Sequence, residues 1–164
     1  MDRRRLHVAN EDLNPAGPVL YWMHREFRAR DNWALVHARE EALRRGVPVA
    51  VVFCLRPDFL DATLRSYDFL LGGLEATCAA LRADNIPVLV RCGDPEVEIP
   101  RLCRTIRPGL VVTDFDPLRI KRQWLRALVT ARLAPVHEVD ARNVVPCRIA
   151  SDHREFSART LRPK

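Results

Sequence analysis

Val47-Pro48-Val49-Ala50-Val51-Val52-Phe53-Cys54-Leu55 is the segment that decides the fold. From Val49 to Phe53 it is apolar at every position, not at alternate ones, and it is rich in β-branched residues. A strand with no polar face has to be covered on both sides, as a parallel strand sandwiched between helices is. Pro57 ends the run. Working outward, the same reading finds four more strands: residues 19–23 (Val-Leu-Tyr-Trp-Met), 86–90, 109–113 and 136–139.

Helical spacing fills the gaps. Between the first two strands, Trp33, Val36, Ala38 and Leu43 mark one apolar face, with Asp31 or Asn32 as cap and Gly46 as stop. Phe69, Leu70, Leu74, Cys78 and Leu81 mark a second, longer helix. Gly72-Gly73 inside it costs roughly 2 kcal/mol, and close approach of another backbone would explain that. A third helix opens at Gly93-Asp94-Pro95, with Pro100 as a candidate break, and a fourth runs from Pro117 through Trp124, Leu125 and Leu128. Strict strand–helix alternation predicts an α/β fold: a Rossmann-like, doubly wound, five-stranded parallel sheet in a single domain. That domain is expected over residues 18–147. Residues 1–17, polar and containing Pro15 and Gly17, read as a poorly ordered lead-in, and residues 148–164 as an exit segment.

Several function classes are excluded by what the 164 residues lack. There is no GxxxxGK[ST] phosphate loop, no GxGxxG after the first strand, no SGGxDS-like loop or HxGH, and no GxSxG elbow. The five histidines are dispersed, which argues against a metal centre, and the five cysteines form no CxxC pair. They read as free thiols in a reducing, cytoplasmic setting. No apolar stretch is long enough to span a membrane, and Met1-Asp2-Arg3-Arg4-Arg5 has no apolar segment behind it, so it is not a secretory signal. The net charge of +6 is carried almost wholly by dispersed arginines, so charge alone does not mark a nucleic-acid site.

Ligands of such sheets bind beyond the carboxyl ends of the strands, where the strand order switches. That rule selects residues 23–32, 53–59 and 114–119. In the first, His24 follows the strand directly, and Arg25 and Arg28 are either solvated or placed against an anion or ring. In the last, Asp114 and Asp116 flank Phe115, where a carboxylate either caps the next helix or accepts from a ligand. Trp33 and Trp124, inside helical patterns, are expected in the core.

Taken together, five segments carry a resemblance. They are Tyr21-Trp22-Met23-His24-Arg25 with Arg30-Asp31-Asn32-Trp33-Ala34-Leu35; Phe59-Leu60-Asp61-Ala62-Thr63 with Arg65 and Tyr67; Thr113-Asp114-Phe115-Asp116-Pro117-Leu118-Arg119 with Arg122-Gln123-Trp124; residues 139–146 with Ala150-Ser151-Asp152; and residues 157–164. In this order the chain resembles the N-terminal domain of class II cyclobutane-pyrimidine-dimer photolyases. The resemblance implies an α/β domain holding a light-harvesting antenna chromophore, 8-hydroxy-5-deazaflavin or a reduced folate, with the deazaflavin favoured in class II. It also implies a C-terminal helical domain that binds FAD and the flipped-out dimer in UV-damaged DNA. That second domain is expected to be missing here. The parent would be a carbon–carbon lyase, and this portion alone would be inactive, with no catalytic residue. Family positions carry over onto Arg25, Asp114 and Asp116 as chromophore-binding residues. The alternative reading is a standalone nucleotide- or flavin-binding module, or a docking module, on the same fold.

Overall fold

A computed structural model describes residues 1–11, 16–153 and 155–162. In chain order its main elements are β1 (Leu6–Asn10), β2 (Val19–Trp22), α1 (Trp33–Arg45), β3 (Val49–Leu55), α2 (Leu64–Ala83), β4 (Val88–Cys92), α3 (Pro95–Ile106), β5 (Leu110–Asp114), α4 (Arg119–Thr130) and β6 (Val136–Val139). Two four-residue helical turns follow, α5 (Cys147–Ala150) and α6 (Ala158–Leu161).

The strands form one sheet in the order β1-β6-β5-β2-β3-β4. All five strands read from the sequence are present and mutually parallel. The chain winds outward from β2 to β4, crosses back to β5 and winds outward again, so the order switches between β2 and β5. The doubly wound α/β expectation holds, with one strand added. Successive residues of β2 show why both faces had to be apolar. Val19, Tyr21 and Met23 pack with α1 and Leu81 of α2 on one side, while Leu20 and Trp22 pack with Ile99, Leu102, Trp124 and Leu128 of α3 and α4 on the other. Each such buried side chain contributes roughly 1.5–3 kcal/mol.

Five expectations need correction. Residues 1–10 are not a disordered lead-in: Arg3–Arg5 make a 3-10 turn and β1 pairs antiparallel with β6, Leu6 opposite Val139 and Val8 opposite His137. An edge strand is only half-buried, so its sequence keeps polar residues and loses the apolar signature. Pro15 lies outside the described residues, but Gly17 has a clear role, since a Cβ there would overlap the carbonyl oxygen of Arg107. The face of α1 is shifted: Ala34, Leu35, His37, Ala38 and Ala42 are buried, whereas Leu43 is 82% exposed. Alanines at i, i+4 and i+8 let α1 lie close to the sheet, a job the larger residues could not do. Trp33 is 38% exposed at the helix start, with the Arg5 guanidinium 5.6 Å from its ring centroid. Pro100 does not break α3, which runs unbroken from Pro95 to Ile106. No backbone packs on Gly72 or Gly73, since an added Cβ would meet nothing within 4 Å. The five cysteines are unpaired, as expected, and among the described residues no helix is long and apolar enough to cross a membrane.

Candidate functional site

The last residue of β5 organises the carboxyl end of the sheet. The Asp114 side chain is buried. Its Oδ1 accepts from the Tyr21 hydroxyl at 2.6 Å, and its Oδ2 accepts from the backbone N–H groups of His24, Arg25 and Glu26 at 2.9, 2.8 and 3.1 Å. One carboxylate thus folds the loop after β2 against the end of β5. Burial, and then the neighbouring Asp114 charge, push the Tyr21 phenol well above its usual range, so it stays a donor. Asn32 completes the cluster. Its Nδ2 donates to the Tyr21 hydroxyl and to the carbonyls of Glu26 and Arg28, while its Oδ1 caps α1 at the Leu35 N–H.

Asp116 ties the next layer. Its Oδ1 lies 2.7 Å from Arg25 Nη1 and also accepts from the Leu118 N–H at 3.0 Å. The structure therefore gathers Arg25, Asp114 and Asp116 into one cluster, as the sequence reading proposed. Their polar contacts run to the protein itself, and none of the three lines the neighbouring cavity.

That cavity, of about 220 Å³, opens beside the cluster. His24 and Phe27 reach it from the loop after β2, Phe53 to Arg56 from the end of β3, and Phe59 from the following loop. Ser66, Tyr67 and Leu70 of α2 form one wall, and Lys121 and Trp124 of α4 the opposite one. The surface is mostly aromatic and aliphatic. The Tyr67 hydroxyl donates to the Arg56 carbonyl at 2.6 Å and accepts from the Phe59 N–H at 2.8 Å, which fixes the loop in place.

Four polar groups on this surface define its chemistry. Burial pushes the Cys54 thiol up to about 12, so it is no nucleophile at neutral pH. Burial pulls His24 down to about 4, so its ring is neutral, and its Nδ1 is buried without a hydrogen-bond partner. Trp124 Nε1 is likewise buried and unpartnered. Lys121 Nζ donates to the His24 carbonyl at 3.1 Å and sits 4.3 Å from the Trp124 ring centroid and 4.9 Å from that of Phe59. Burial pulls its ammonium down to about 8. Among the described residues no group of three potential ligands could hold a metal. Aromatic walls with one ammonium beside them suit the binding of a planar ring system.

Two of the three nominated loops, residues 23–32 and 53–59, supply cavity walls. The third supplies the Asp114 and Asp116 support. Sequence reasoning nominated the loops that carry Phe27 and Phe59 without singling those residues out, and it missed the α2 wall and, above all, Lys121 and Trp124, which lie one helical turn apart on α4. One signal was available: Lys121 and Lys164 are the only lysines in an arginine-rich chain.

Comparison with known proteins places these features in context. The family profile described as DNA photolyase matches residues 19–164. The deoxyribodipyrimidine photo-lyase of Potorous tridactylus is 39% identical over 168 residues, covering 99% of this chain and 32% of that protein. Those of Arabidopsis thaliana and Oryza sativa subsp. japonica are 45% and 46% identical, covering 90% and 92% of this chain and 30% and 31% of theirs. The chain thus spans about a third of the length of these relatives. Among solved structures, a Synechocystis sp. PCC6803 cryptochrome superposes with a TM-score of 0.59 at 22% identity, over 69% of this chain and 24% of that one. A universal stress protein from Archaeoglobus fulgidus in complex with dAMP gives 0.52 at 19% identity, over 76% of this chain and 98% of that one. Both likenesses are of fold alone.

Proposed function

This chain belongs to the DNA photolyase family, and we propose that it is the light-harvesting α/β portion of a class II deoxyribodipyrimidine photolyase. The observation that carries the reading is the aromatic-walled cavity at the carboxyl ends of β2 and β3, next to a loop clamped by Asp114. The class II assignment rests on the five ordered segments quoted from the sequence.

In this reading the cavity holds the ring system of an antenna chromophore, 8-hydroxy-5-deazaflavin or a reduced folate. Such a group absorbs light and passes the excitation on. The volume lies below the roughly 300–1,000 Å³ of sites that enclose a whole drug-sized ligand, so it fits a ring system and not an entire FAD. FAD and UV-damaged DNA belong to the helical portion of the full-length relatives, and no residue here is assigned to either. Phe27, Phe59 and Trp124 would face the ring, and His24 and Lys121 would meet its polar edge. Arg25, Asp114 and Asp116 would serve the chromophore by holding the loop that carries His24 and Phe27. In this reading dimer splitting needs an electron from reduced FAD, which no residue here is assigned to bind, so this portion alone should not split dimers.

Titration of the purified chain with 8-hydroxy-5-deazaflavin and, separately, a reduced folate tests the reading. Expected is saturable one-to-one binding of at least one of them, seen as a shifted absorption band and altered emission. No spectral change with either compound would overturn it.

A further inference from the structure

Two cations line the cavity, Arg56 and Lys121, and their situations differ. The Arg56 guanidinium is committed to carboxylates, with Nε 3.0 Å from Asp58 and Nη1 4.0 Å from Asp94. Lys121 Nζ has one hydrogen bond, to the His24 carbonyl, and two ring faces beneath it. Among the described residues no carboxylate forms an ion pair with it. The nearby acids are spent elsewhere: Asp116 on Arg25 and the Leu118 N–H, Asp114 on three backbone N–H groups and Tyr21.

An ammonium carries three donors and no acceptor. A cation half-withdrawn from water with one donor used is incompletely satisfied, and the strongest partner it can find is an anionic oxygen. The aromatic walls around it accept a flat ring but no hydrated ion. Taking these together, we infer that Lys121 is the specificity-determining residue of the cavity, selecting a fused heteroaromatic ring that bears an ionised oxygen on its edge over the same ring without one. The inference rests on the chromophore reading above and sharpens it. Of its two candidates, the 8-hydroxy-5-deazaflavin ring ionises to a phenolate-like oxygen, whereas the pterin ring of a reduced folate is neutral near pH 7. Lys121 therefore selects the deazaflavin.

The pH dependence has a defined sign. Groups facing Lys121 are His24 and Arg25 on the β2 loop, Cys54 at the end of β3, and Asp114 and Asp116 after β5. Cys54 and His24 are neutral near pH 7, so Lys121 is the group that changes charge as the solution turns alkaline. Over the range in which the ring is ionised, selectivity for it should be full below pH about 8 and decline above it as Lys121 loses its proton.

The test is an absorbance titration of the full chain at pH 7 with 8-hydroxy-5-deazaflavin and with its 8-deoxy analogue, which keeps the ring and adds no bulk. The wild type is expected to bind the hydroxy compound about tenfold more tightly, the scale of one charge-assisted hydrogen bond. In Lys121→Met the preference should collapse to about twofold or less, the hydroxy compound losing more affinity than the deoxy compound, while circular dichroism reports an intact fold. A second readout is the pH at which the bound hydroxyl ionises, lower than in free solution for the wild type and restored in Lys121→Met. Equal affinities in the wild type, a preference that survives in Lys121→Met, or an equal loss for both compounds would overturn the assignment. Failure of the wild type to bind either compound, or a reduced folate, would instead overturn the chromophore reading itself, and this one with it.

Discussion

α1 and α2 cover the same face of the sheet, yet they close it differently. Beneath α1 the backbone donors are matched: Asn32 caps the helix and joins Tyr21, Asp114 and the 24–26 backbone in one network, although Arg25 Nε and Glu26 Oε1 are buried without a hydrogen-bond partner. Alanines bring the helix onto β2. Beneath the first turns of α2 the sheet is left open. A cavity lies there, His24 Nδ1 and Trp124 Nε1 are unpartnered, and Leu64 and Phe69 point outward, the latter 86% exposed. The closed region spends its central carboxylate on its own backbone, and the open one leaves a cavity. The difference lies in where the packing leaves room, since each region keeps buried polar atoms without a hydrogen-bond partner.

The largest expected effect breaks the closed region. Asp114→Ala removes the acceptor of three backbone N–H groups and the Tyr21 hydroxyl at once. Unsatisfied buried donors cost roughly 1–3 kcal/mol each, and partial rescue by water brings the expected loss to about 3–5 kcal/mol. Urea unfolding followed by circular dichroism would measure it. Asp114→Asn, which keeps one carbonyl oxygen, should lose less. A loss below about 1 kcal/mol for the alanine variant would show that the loop does not depend on this carboxylate.

A milder break comes from acid. His37 Nε2 and His137 Nδ1 lie 2.9 Å apart in a stacked, buried pair joining α1 to β6, a contact that needs one donor and one acceptor. Burial first, and then His137, pull His37 down to about 4; burial also lowers His137. Around them stand Glu40, Glu41 and the amino terminus, with Glu11, Arg44 and Arg45 beside His137. A depressed folded value means that the unfolded chain binds protons first. The contribution is therefore full above pH about 6.5 and is lost as pH falls toward about 4. The melting temperature should drop across that window, with a shallower slope in a His37→Gln, His137→Gln variant. His24 contributes a remaining slope of the same sign. An unchanged slope would remove the pair from the acid response.

How much of this could be read beforehand follows from the same contrast. The central strands β2 and β3 were legible because burial on both faces leaves no charged residue to confuse the pattern, as in residues 49–53. β1 was not, because an edge strand tolerates polar residues. The α1 face was misplaced because its contact is made by small alanines while its large residues turn outward. At the site, the strand-end rule found the right loops but could not say which atoms were spent. Asp114 looks in sequence like an acid waiting for a ligand, and only the fold brings the N–H groups of residues 24–26, about ninety positions away, onto it. Lys121 and Trp124 were hidden for the converse reason: on an amphipathic helix, a residue over a cavity has the same spacing as one over a packed core.

The smallest effect sharpens the open region, and its sign is favourable. Gly72 and Gly73 sit in the middle of α2 with no positive φ, and an alanine Cβ at either would meet nothing within 4 Å. Glycine in a helix interior costs about 0.5–1 kcal/mol relative to alanine through backbone entropy. Gly72→Ala and Gly73→Ala should therefore each stabilise the chain by about that much, and the double variant by about 1–2 kcal/mol. Thermal and urea unfolding of the three variants would measure the gain. A full gain would mark the glycines as a cost that the open region carries with no packing return inside this fold. A loss would mean that the first turns of α2 do not hold the straight helix that forms the cavity wall, and would weaken the contrast with α1 at its root.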